Sequence, residues 1–138
     1  MNPKQFLLIG GAVLAVVGVV GFLGIIGPTP DKSLFGQTWW FDNGENVAHL
    51  VLGIVALGAA YVLGDALQKW LVAAVGVLGV LVAVWGFLVS GSASPNFYGA
   101  NLENPADTAL HLVVGLWALW AAFWGKKELV SPVPPTGY

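Results

Sequence analysis

Four apolar runs, at about residues 5–26, 46–63, 70–89 and 106–124, leave this chain few ways to fold. Each is close to the ~20 residues that a helix needs to cross the hydrocarbon core of a bilayer. Inside a bilayer every backbone polar group must find its partner within the protein. That leaves helices or closed barrels, and barrel strands would read as alternating segments of ~10 residues. The runs therefore predict an all-α chain, a transmembrane four-helix bundle. Composition agrees, with 57% of residues hydrophobic and 9% charged, against roughly 45–50% and about 25% in a soluble domain.

The first run, FLLIGGAVLAVVGVVGFLGII, follows Lys4. It exceeds the ~7–15-residue apolar core of a signal peptide and lacks a clear small-x-small cleavage site, so it is read as a span. Residues 27–45 and 90–105 form long polar connections rich in Pro, Gly and Asn, whereas residues 64–69 make a tight turn that predicts a hairpin of helices two and three. Residues 1–130 are thus one four-span domain, and residues 131–138, SPVPPTGY, are a Pro-rich tail expected to be extended and unpacked. Lys4, Lys69, Lys126 and Lys127 fall on one side of the spans and only Lys32 on the other. By the positive-inside rule both termini are expected in the cytoplasm, the setting being a bacterial plasma membrane. Five of the seven acids, Asp31, Asp42, Glu45, Glu103 and Asp107, then crowd the outer face.

The second and fourth runs repeat one another. ENVAHLVLGIVALGAAY, residues 45–61, matches DTALHLVVGLWALWAAF, residues 107–123, at eight of seventeen positions, pairing His49 with His111, Gly53 with Gly115, and Glu45 with Asp107. Helices one and three agree more weakly, both ending in GFL. Each repeat holds an even number of spans, so the halves enter the membrane in the same direction and a pseudo-two-fold axis along the membrane normal is expected. Residues four apart share a helix face, so Glu45 is expected beside His49 and Asp107 beside His111. Asp42, Asn43 and Gly44 read as the start of helix two, and Asn104 as the cap of helix four. An acid in the first turn is favoured by the helix dipole without help from function; an imidazole below the interface needs a hydrogen-bond partner or a ligand. Small residues at Gly11, Gly18, Gly53, Ala56, Gly76, Gly79 and Gly115 are expected to let helices approach closely.

Several function classes are closed. Without cysteine there is no disulfide frame, thiolate metal site or thiol nucleophile, and five lysines with no arginine give no basic footprint for nucleic acid. No serine or lysine nucleophile stands beside a base, so no catalytic residue is assigned and a non-enzymatic chain is expected. The central parts of the spans carry no ionisable group on which a transport relay could run. Three roles remain for the acid-histidine pairs. They are structural hydrogen-bond nodes in a structural or accessory component, which would pack against lipid, other membrane subunits or copies of itself. Alternatively His49 and His111 ligate a haem or chlorophyll-type pigment. The third role is a divalent metal site formed by Glu45, His49, Asp107 and His111.

The polar start followed by HL-x-x-G, in ENVAHLVLG and again in NPADTALHLVVG, resembles a family of small bacterial four-helix membrane proteins known as a domain of unknown function. The likeness runs over about residues 5–124. It implies a four-helix membrane fold and supplies no activity.

Overall fold

The computed structural model describes residues 1–93 and 95–125. The Pro-rich tail lies outside the described residues. Four α-helices make up the fold: α1 (Pro3–Phe22), α2 (Asn43–Val62), α3 (Asp65–Leu88) and α4 (Ala106–Phe123). All four are long and apolar enough to cross a membrane. Two 3₁₀ turns, Pro30–Lys32 and Gly36–Thr38, sit in the first loop, and an isolated bridge joins Phe97 to Ala100 in the second.

The helices start from local chemistry. At the head of α1, Asn2 and Gln5 form a capping box, with Gln5 N–H donating to Asn2 Oδ1 at 2.8 Å and Asn2 N–H to Gln5 Oε1 at 3.1 Å. Asp42 and Glu45 repeat the device at the head of α2. Polar capping residues are thereby drawn into the first turn, so α2 begins three residues before the apolar run does; α3, capped by Gly64 without a side-chain bond, begins five residues before its run, with Asp65 in the first turn.

Close pairing joins α1 to α2 and α3 to α4, with α1 also touching α3 and α4. The expected hairpin of helices two and three is present only as a turn. Gln68, buried, donates from Nε2 to the carbonyls of Ala60 and Leu63 at 3.1 and 2.8 Å and ties off the end of α2. Beyond that turn the two helices do not pack along one another. Their bulkier faces, such as Val51, Leu52 and Val55 on α2 and Leu78 and Leu81 on α3, stay exposed as lipid-facing surfaces would be.

Glycine decides the pairing. A Cβ on Gly53 would lie 2.5 Å from Ala15 N and 2.7 Å from Gly11 O; one on Gly115 would lie 2.8 Å from Val80 N and 2.9 Å from Gly76 O. The small residues of the sequence thus stand where α1 crosses α2 and where α3 crosses α4, and van der Waals contact between backbones replaces the hydrophobic drive that lipid removes. At the end bearing the N-terminus, Phe6, Leu7, Val72 and a set of alanines (Ala59, Ala60, Ala118, Ala121) form the core shared by all four helices. Phe6 meets Trp117 edge-on, with ring centroids 4.8 Å apart.

Candidate functional site

At the opposite end, the two long loops fold over the starts of α2 and α4. The site begins with Asp42. Its Oδ1 accepts from Glu45 N–H at 2.9 Å, capping α2, while its Oδ2 accepts from Asn101 N–H of the second loop at 2.9 Å. The reverse link comes from the first loop, where Trp39 Nε1–H donates to Asp107 Oδ1 on α4 at 2.8 Å. Each half of the chain therefore holds the other's loop through a carboxylate at the head of a helix. Charge-assisted bonds of this kind are worth roughly twice a neutral one.

Asp107 serves its own segment too, with Oδ2 accepting from Glu103 N–H at 3.0 Å. Asn104, expected as the cap of α4, does not fill that role: Pro105 is the capping residue and makes no side-chain bond. Instead Asn104 Nδ2 donates to Gly86 O at 3.0 Å and its Oδ1 accepts from Thr108 Oγ1 at 2.6 Å, stapling the end of α3 to the start of α4.

The histidines turn to backbone. His49 Nδ1–H donates to Glu45 O at 2.7 Å and His111 Nδ1–H to Asp107 O at 2.8 Å. The expected acid-histidine pairs thus meet through the carbonyl of the acid residue and not through its carboxylate. The physical reason is that both carboxylates are turned back toward the loops, Glu45 to Asp42 N–H and Asp107 to Trp39 and Glu103. A carbonyl only accepts, so Nδ1 carries the proton, and in the neutral ring Nε2 keeps the lone pair. The His49 ring stacks on Phe41 with centroids 4.8 Å apart.

No family model, curated protein or solved structure matches the chain. The site is therefore read from its own geometry. Of the four residues expected as metal ligands, Glu45 and Asp107 come together, and the third partner is Glu103 rather than a histidine. One carboxylate oxygen from each of Glu45, Glu103 and Asp107 lies within 4.8 Å of the others. All three residues are buried, at 6%, 7% and 1% exposure. Among the described lysines, Lys4 and Lys69 are at the far end of the bundle and Lys32 is exposed on its 3₁₀ turn. Asn101 Nδ2 donates to Glu103 Oε1, while Glu103 Oε2 is buried without a hydrogen-bond donor. Burial, with the negative charge and hydrogen bonding of Asp107 adding to it, pushes the Glu103 carboxyl up to about 9.

Glu103 was the residue the repeat concealed. Its counterpart in the first half is Phe41, so aligning the halves draws attention away from it. The available signal was its spacing four before Asp107 in a charge-poor chain.

Trp39→Phe removes one brace and leaves half of Asp107 without its donor. It is expected to lower stability in detergent by about 1–2 kcal/mol, measured as a drop in melting temperature. A melt identical to wild type would show that the Trp39 bond contributes nothing to holding the loop.

Proposed function

We propose that this chain is a non-enzymatic integral membrane protein that serves as a structural or accessory component, presenting its two long loops as one rigid outer surface. The observation that carries this reading is the reciprocal bracing of the loops, Trp39 to Asp107 and Asn101 to Asp42. Ordering two long connections costs conformational entropy, and a surface held in one shape before contact loses less on binding. Apolar residues exposed along all four helices are suited to lipid or to neighbouring membrane subunits.

The repeated sequence supports a duplicated helix pair with a pseudo-two-fold axis along the membrane normal. Corresponding contacts in the two halves, Gly11 with Gly53 and Gly76 with Gly115, agree with it, as do the matching histidine bonds. Kinship with the small four-helix membrane family of unknown function is part of the same reading, resting on the repeated HL-x-x-G.

Lysine placement supports cytoplasmic termini and an outer loop surface. A cysteine at Ser92 is therefore expected to react with an impermeant thiol reagent added outside, and one at Ser131 only after the membrane is opened. The reverse pattern would invert the orientation. For the accessory role, gentle solubilisation from the native membrane is expected to yield the chain in a stoichiometric complex on a native gel. Recovery as a bare monomer under conditions that preserve other membrane complexes would count against it.

A second reading, ligation of a haem or chlorophyll-type pigment, is favoured by one observation: the Nδ1–H bonds of His49 and His111 leave each Nε2 as the basic nitrogen. An absorption spectrum of the mildly purified native protein tests it, a band lost on substituting either histidine being the positive result.

A further inference from the structure

We propose that Glu45, Glu103 and Asp107 form a binding site for a hard divalent cation at the loop end of the bundle. The inference goes beyond the structural role above and does not depend on it.

Distance allows a shared ion. Oxygen ligands lie about 2.0–2.6 Å from magnesium or calcium, so two of them on opposite sides of one ion are about 4.0–5.2 Å apart. The three carboxylates each offer an oxygen within 4.8 Å of the others, which lets all three reach a common centre without moving helices. Their chemistry supports its class. The set is all oxygen, which suits calcium, manganese or magnesium, whereas zinc prefers nitrogen and sulfur donors. The histidines are not part of the converging group.

An acidic cluster alone would mean little, but here an independent feature points at a ligand. Glu103 is 7% exposed, and when its carboxyl is ionised its Oε2 meets no hydrogen-bond donor. A buried carboxylate oxygen without a donor carries a desolvation penalty that a bound cation would remove. Four of the other oxygens are already held: Glu45 Oε2 by Asp42 N–H, Asp107 Oδ1 and Oδ2 by Trp39 Nε1–H and Glu103 N–H, and Glu103 Oε1 by Asn101 Nδ2. Such outer-shell bonds orient ligands before the ion arrives. The three ligands also come from both halves of the chain, so an ion bound there would fasten α2, the second loop and α4 together.

The full chain, purified in mild detergent, stripped with chelator and held at neutral pH, is titrated with calcium, magnesium and manganese chlorides. Manganese binding is counted from the loss of the free-ion resonance signal, and calcium binding from the rise in melting temperature. One saturable ion per chain is expected. Glu103→Gln keeps the bond from Asn101 and the shape of the side chain, so it is expected to fold and to weaken binding at least tenfold. Asp65→Asn, at the other end of the bundle, should bind as wild type. A stripped wild-type protein that is folded and binds no manganese overturns the proposal. So does a Glu103→Gln protein that binds as tightly as wild type, or one that gains stability over a wild-type protein indifferent to all three ions. In each of these cases the carboxyls would be neutralised by protons alone, and the loop bracing would stand unaffected.

Discussion

Replacing Gly53 or Gly115 with leucine is expected to abolish the folded bundle. At each position even a Cβ would approach backbone atoms of the facing helix, at 2.5 Å from Ala15 N for Gly53 and 2.8 Å from Val80 N for Gly115. A side chain can swing aside, but a backbone can yield only by moving the whole helix, and the pairs α1 with α2 and α3 with α4 hold most of the bundle's packing. Overpacking a well-fitted site commonly costs about 1–3 kcal/mol, and a clash with the backbone of the facing helix is expected to exceed that range. Size-exclusion profiles and thermal melts in detergent would report it as aggregation or as a melting temperature too low to measure. Gly58→Leu is the control, since nothing lies within 4 Å of a Cβ there. If Gly53→Leu and Gly58→Leu behave alike, the close approach of α1 and α2 is not what holds the pair.

In chelator-stripped protein, stability is expected to fall as the pH rises from about 5 to about 9. Burial, reinforced by Asp107, raises the Glu103 carboxyl to about 9 from its ordinary value of 4.5. Between those values the folded chain holds a proton that the unfolded chain has released. Stability therefore falls with pH through that window. The contribution is fully present below about 4.5 and is lost as the pH passes about 9. Glu45 and Asp107 face the same space, Asp42 lies behind Glu45, and Asn101 donates to Glu103. Trp39 and His111 stand at Asp107, on its Oδ1 and its backbone carbonyl. A fall in melting temperature of about 5 °C or more across the window is expected, a shift worth one to three kcal/mol in a chain of this length. Glu103→Gln, neutral at every pH, should reduce the slope. A wild-type profile that is level or rising, or one whose slope is unchanged in Glu103→Gln, would mean that Glu103 is ionised in the folded protein.

Much of the architecture was readable in the residues themselves. Helix number, span length and the glycines at the crossings depend on local facts. An apolar run of about twenty residues can satisfy its backbone only as a helix, and a glycine facing a neighbour admits close approach wherever that neighbour lies. The capping box at Asp42 and Glu45 is also local, closed within four residues.

The site was only half legible, and the missing half is long-range. Glu45 and Asp107 stood out because the repeat paired them, yet no spacing rule brings Glu103 to Glu45 across 58 positions of sequence. The loop does so, held by Asp42 to Asn101 and by Trp39 to Asp107. The histidines show the same division. Their place one turn below each acid followed from the i, i+4 spacing, but the choice between carboxylate and carbonyl as partner depended on where the carboxylates were already engaged. By itself the sequence determined four apolar helices, their duplicated polar starts and the small residues between them, because these arise from contacts within a turn or two of helix. Only the tertiary structure decided that α2 and α3 part after their turn and that three acids from two distant segments share one buried space. Those outcomes rest on loop paths and side-chain directions that are set by packing between the halves.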